Sequence, residues 1–183
     1  MVRRFVEKLE PMRTLTFPTD RTSGAIYVAP DSARGAWSPY DFARLADARG
    51  DVVVPAGYVA CLLVAPGAVK DVASLRGVPL DAVHLSFTEV DDESLRLLRG
   101  IPALRAFYGR NTALGNAAMD ELARHDALQT VVLRKTRMND DGFGELAALG
   151  RLHSLDVSRT RIRGTGLASI AHLGGATLDN EEN

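Results

Sequence analysis

The chain has 183 residues, 46% of them hydrophobic and 25% charged, with a formal net charge of -1. That balance excludes a disordered chain, and it leaves any attraction to nucleic acid or anionic membrane to a local patch. The single cysteine, Cys61, excludes an internal disulfide and the common zinc spacings, and no apolar run approaches a membrane span.

The opening run MVRRFVEKLEPMRT lacks a continuous apolar stretch of signal-peptide length, so the expected location is the cytoplasm. RTLTF (13–17), GAIYVA (24–29) and DVVVP (51–55) carry the composition of strands, joined by polar connections bearing proline and glycine. Between the last two, SPYDFARLADARG starts with a capping serine and a proline at the first helical position. With Phe42, Leu45 and Ala46 as its apolar face, it predicts a short helix. A turn at Pro55-Ala56-Gly57 leads into another strand. Residues 1–58 thus read as a small β-rich N-terminal cap. Arg49-Gly50-Asp51 spells an adhesion tripeptide, which is incidental in a cytoplasmic chain.

From Val59 the chain becomes periodic. Leucine stands at 80, 104, 128 and 152 with Ala176 next in step, and threonine at 88, 112, 136 and 160, all at intervals of 24 residues. A shorter, 21-residue block precedes them. Each block begins with an alternating apolar stretch, such as Val83-x-Leu85, that predicts a short strand. Each continues with apolar residues at three-residue spacing: Leu95, Leu98 and Ile101; Phe143, Leu146 and Leu149; Leu167, Ile170 and Leu173. That spacing predicts a short α-helix or a 3₁₀ turn. Asn116, Asp140 or Asp141, and Thr165 stand where helix N-caps are needed. One such unit cannot bury its apolar face alone, so the blocks must stack.

The frame L-x-x-L-x-L-x-x-T-x-V/I resembles the bacterial leucine-rich repeat in which threonine replaces the usual asparagine and a T-x-V-x-D-x-G-L phrase follows. The phrases that carry the resemblance run from Thr88 to Asp91, from Thr136 to Phe143 and from Thr160 to Leu167. The resemblance implies an α/β solenoid, with parallel strands on a concave face and short helices or 3₁₀ turns on a convex one. It covers residues 59–175, leaving 176–183 as an acidic tail that starts with a sixth strand, ATLD. Two positions depart from the pattern. Gly67 replaces the first threonine, and Gly109 replaces a strand leucine, leaving room for a large neighbour. The threonines themselves are expected to be structural, bridging backbone groups from block to block where the chain leaves the strand.

Chemistry finds little purchase here. The four histidines and Cys61 form no metal-ligand or nucleophile constellation, so no cofactor, metal or catalytic residue is expected. The carboxylate pairs, Asp91-Asp92-Glu93, Asp120-Glu121 and Asp140-Asp141, fall near helix starts, where the macrodipole favours them. What remains is the strand face, five strands and roughly 20 Å wide. One outward column reads Leu63, His84, Tyr108, Val132 and Asp156. Beyond it lie Arg110 and Arg134, then Phe87, Lys135 and Arg159. Phe87 and Tyr108 are candidate interface anchors, unless one of them fills the gap beside Gly109. From Leu128 through Arg163 seven bases face four acids, with the bases near the strands and the acids near the helix starts. The expected function is therefore non-catalytic binding of another protein with an acidic surface. Polyanion binding through the basic cluster ranks behind it, nucleic acid being disfavoured by the absence of a dedicated motif. Self-association through an uncapped C-terminal repeat is the other alternative.

Overall fold

The computed structural model describes residues 12–31, 42–75, 77–163 and 176–177. The N-cap expected of Thr165 and the apolar set Leu167, Ile170 and Leu173 lie outside the described residues. The described residues form ten strands: β1 (Arg13–Thr16), β2 (Gly24–Pro30), β3 (Ala43–Asp47), β4 (Asp51–Val54), β5 (Tyr58–Val64), β6 (Ala82–His84), β7 (Ala106–Tyr108), β8 (Thr130–Val132), β9 (Ser154–Asp156) and β10 (Ala176–Thr177). Among the described residues the helices are short: α1 (Asp92–Leu95), α2 (Ala117–Leu122) and α3 (Asp140–Phe143), with 3₁₀ turns at Val69–Leu75, Arg96–Gly100 and Gly144–Ala148. Both outcomes allowed by the three-residue spacing therefore occur, α1 and α3 each running straight into a 3₁₀ turn.

Eight strands form one mixed sheet in the order β10-β9-β8-β7-β6-β5-β2-β3. From β5 to β10 all neighbours are parallel, and from β5 to β9 each strand returns through a helical or 3₁₀ segment. β2 runs antiparallel to β5 and to β3, while β1 and β4 form a separate antiparallel pair. The register pairs Leu63 with His84, His84 with Tyr108, Tyr108 with Val132 and Val132 with Asp156, the column anticipated from the period.

One face of the sheet is the core. Leu80, Leu104, Leu128 and Leu152 are all buried in a single cluster with Val83, Phe107, Val131 and Leu155. Each buried leucine contributes about 2 kcal/mol relative to exposure. Val90, Leu114, Met138 and Ile162 repeat the arrangement one turn later, and Leu95, Leu98, Met119, Leu122, Leu146 and Leu149 close it from the helical side. The N-terminal strands belong to the same cluster through Leu15, Phe17, Ile26, Val52 and Val54.

Three expectations are corrected. The segment Ala43–Asp47 is strand β3, not helix, pairing antiparallel with β2 across a register shift at Ile26/Tyr27. Its capping signals are local, whereas the open edge of β2 offers backbone hydrogen bonds that only an extended chain can use. The threonines do not bridge blocks. The hydroxyls of Thr88, Thr112, Thr136 and Thr160 donate to Leu85, Gly109, Leu133 and Val157 carbonyls three residues back, at 2.6–2.8 Å, closing each block's own turn. The bridges are made instead by carboxylates and amides. Asp92 accepts from the Gly115 amide at 2.7 Å, Asp140 from Arg163 at 2.9 Å, and Asn116 exchanges two hydrogen bonds with Asn139. The acidic residues Asp92, Glu93, Asp120, Asp140 and Asp141 do stand in the first turns of α1, α2 and α3, as expected. The side-chain caps are Asp91 and Asn139, while Asn116 holds the N-cap place of α2 without capping it.

Candidate functional site

The face turned away from the core is built by the alternate residues of the same strands. Cys61, Ala82, Ala106, Thr130 and Ser154 form one row, and Leu63, His84, Tyr108, Val132 and Asp156 the next. In its N-terminal half this face is apolar and largely covered. Ala29, Val59, Cys61, Ala82, Ala106 and Tyr108 make a second buried cluster, with Tyr27, Phe42 and Val132 against it. Tyr108 is 1% exposed and stacks on His84 at 5.4 Å between ring centroids, so it is not the open anchor expected of it. Neither candidate aromatic fills the gap beside Gly109. Phe107 does so from the core side, its ring 2.7 Å from where a Gly109 Cβ would stand.

Burial governs the titratable groups here. Desolvation pushes the Cys61 thiol up to about 12, with the Asp81 carboxylate adding to it, so the thiol is neutral and poorly nucleophilic. Desolvation also lowers the His84 pKa, and its Nδ1 is buried without a hydrogen-bond partner. A cavity of about 210 Å³ opens beside these groups, lined by Tyr27, Phe42, Cys61, Leu63 and His84. Leu63 also borders a larger groove of about 370 Å³ between the start of β2 and the turn after β6, lined mainly by Ala25, Ala65, Pro66 and Phe87 with Thr22, Ser86 and Thr88.

That groove lies at the edge where the parallel strands end and the turns begin. Phe87 is 62% exposed there, and its φ of 64° is left-handed, a conformation costly for a bulky L-residue. The Arg110 guanidinium sits 5.5 Å from the centre of its ring. Asn111, Lys135 and Arg159 repeat the left-handed turn at φ 54–58°, one per block. Backbone hydrogen bonds lock this edge: the Phe87, Asn111 and Lys135 amides donate to the Arg110, Arg134 and Ser158 carbonyls at 2.9 Å. Arg134 donates to the Ser158 hydroxyl at 2.7 Å, and that hydroxyl donates to Asp156 at 2.6 Å. Asp156 thus orders an internal chain that ends at a guanidinium.

The cations differ by place. Arg13, Arg21, Arg44, Arg99, Arg105 and Arg124 each approach a carboxylate within ion-pair range. Arg110, Lys135, Arg137 and Arg161, on the turn edge, make no ion pair among the described residues. Of the expected site residues, the structure brings Leu63, His84 and Tyr108 together on the covered face. It places Phe87, Arg110, Lys135 and Arg159 along the exposed edge, with Val132, Arg134 and Asp156 between the two.

A second charged cluster escaped the sequence reading. The buried carboxylate of Glu121 takes the Arg99 guanidinium through Nε at 2.5 Å, with Arg96 and Arg124 within 4.0 Å, and the Arg99 hydrogen bond holds it below the usual carboxylate range. His125 beside it is buried, and desolvation lowers its pKa. His125 occupies the periodic position of Ile101 and Leu149, a signal the leucine pattern conceals. No group of three or more metal-binding side chains occurs among the described residues, and none of their helices is long and apolar enough to cross a membrane.

No family model matches the chain, and no curated relative does. Among solved structures it is similar to an internalin from Listeria monocytogenes, with 15% identity and a TM-score of 0.32 over 61% of this chain. The match spans 44% of the internalin's length.

Proposed function

We propose that the chain is a short leucine-rich repeat solenoid, N-terminally capped by its first strands, whose task is to hold another protein without catalysing a reaction. Contact is made along the turn edge, with Phe87 as the anchor, and less by the flat of the strand face. The observation that carries this reading is Phe87 itself. An exposed aromatic in a left-handed conformation is unfavourable for folding on two counts, and a guanidinium stacked on it prepares the ring for contact. The edge cations without an internal carboxylate suit a partner with an acidic surface. A cytoplasmic setting is part of the same proposal.

The test is affinity purification from the native cell, comparing the wild type with Phe87→Ala and with Lys135→Glu plus Arg161→Glu. A protein recovered with the wild type and lost with both variants is the expected result. Equal recovery with all three would sink the proposed edge. Loss of recovery on nuclease treatment would turn the reading to polyanion binding, and sedimentation as a dimer insensitive to Phe87 would turn it to self-association through β10.

A further inference from the structure

The partner's chemistry can be read one step further, on the strength of the protein-binding reading above. We infer that the turn edge receives an extended peptide with one large apolar side chain at one end and carboxylates along the rest.

The two ends of the edge differ in kind. At the N-terminal end the groove of about 370 Å³ has an apolar floor of Ala25, Leu63, Ala65 and Pro66 and the Phe87 ring as its wall. That volume admits one leucine- or phenylalanine-sized side chain, and the Thr22 and Thr88 hydroxyls in its lining already donate to the Gly24 and Leu85 carbonyls, so an apolar occupant fits it best. Past Phe87 the edge changes to cations, Arg110 first, held 5.5 Å from the ring, then Lys135 and Arg137 one block on, then Arg159 and Arg161. Successive strands stand about 4.8 Å apart, so the three steps from Phe87 to Arg159 cover roughly 15 Å. An extended chain rises about 3.3 Å per residue, so four or five residues reach from the Phe87 groove to Arg159, about three of them along the cations. Carboxylates on alternate residues then recur about every 6.6 Å against about 4.8 Å per block, so two of them fall along the cations. The left-handed turns at Phe87, Lys135 and Arg159 repeat the same backbone at each block, so the cations follow the strand spacing.

The test uses the whole chain and fluorescein-labelled seven-residue peptides made of one leucine and alternating aspartate and serine, in both orders. Fluorescence anisotropy should show binding by at least one order, weakening as salt is added. Replacing the aspartates by asparagine should weaken it about tenfold or more, and so should replacing the leucine by serine. On the protein side, Lys135→Glu plus Arg161→Glu should act only on the aspartate peptide, and Phe87→Ser should erase the advantage of leucine over serine. These side chains are exposed, and unchanged thermal melts confirm that the variants fold. Lack of binding by both peptide orders overturns the inference, as does equal binding of the asparagine peptide. Stronger binding of heparin or RNA, with no leucine dependence, overturns it in favour of a plain polyanion surface. If the purification recovers a Phe87-dependent partner while no peptide binds, this inference falls and the protein-binding reading stands. If neither experiment gives binding, both fall.

Discussion

Substituting Phe87 by glycine should stabilise the chain relative to alanine, the reverse of the usual order. At an ordinary exposed position alanine exceeds glycine by about 0.5–1 kcal/mol, because glycine loses more backbone freedom on folding. At φ 64° the penalty for a Cβ enters with the other sign, roughly 1–2 kcal/mol. Both substitutions lose the Arg110 contact, worth about 0.5–1 kcal/mol at an exposed site, so that loss cancels between them. The difference left is about 0.5–1 kcal/mol in favour of Phe87→Gly, or roughly 1–4 °C in the midpoint of a melt for a chain of this size. Paired thermal and urea melts of Phe87→Gly and Phe87→Ala read it directly. Arg137, exposed and without a left-handed φ, supplies the control, and there alanine should lead glycine. If alanine matches or exceeds glycine at 87, the left-handed turn carries no strain and the functional argument from Phe87 loses its first premise. On the binding reading, the stabler Phe87→Gly protein should also be the poorer binder.

Gly142→Ala should cost about 1–3 kcal/mol, because the new Cβ would stand 2.6 Å from the Asn116 Cβ, and Asn116 is pinned by its pair of hydrogen bonds to Asn139. Gly144→Ala, with open space at its Cβ, should be near neutral in the same urea melt. Glu121 is held below its ordinary 4.5, chiefly by Arg99, so its stabilisation is complete above pH 4.5 and is lost as pH falls through the lower folded value. Arg99→Ala should flatten that acid limb in denaturant melts taken across pH. His84 and His125 work from a different starting point, both lowered from 6.5 by burial. Below pH 6.5 the unfolded chain takes protons that the folded chain refuses, so stability should already decline there, with a shallower slope in His84→Gln. Cys61 should resist thiol reagents at neutral pH and label only as the chain unfolds; rapid labelling of the native protein would contradict its burial.

Much of this architecture is legible in residue order alone. A side chain that recurs every 24 residues must recur in space when identical units stack, so the strand register and the column from Leu63 to Asp156 follow from counting. The buried leucines follow from alternation. Roles that depend on a neighbour in another block are not legible in this way. The hydroxyl of Thr136 and the carboxylate of Asp92 could each serve its own turn or the next, and only the distances decide, the threonine closing its own and the aspartate reaching Gly115.

Periodicity specifies which residues share a face but not what lies over that face. Tyr108 and Phe87 are both aromatic, both outside the core frame and one block apart; the tertiary structure buries the first against His84 and leaves the second open. The same holds for Ala43–Asp47, whose helical signals are local while the unpaired edge of β2 is not. The sequence by itself determined the repeating unit, its strand and the core layer it builds, because these rest on contacts the period reproduces. Only the tertiary structure decided the bridges between blocks, the left-handed turns and which outward residues meet solvent. Each of these depends on side chains brought together from distant positions, or on a backbone angle that stacking imposes against local preference.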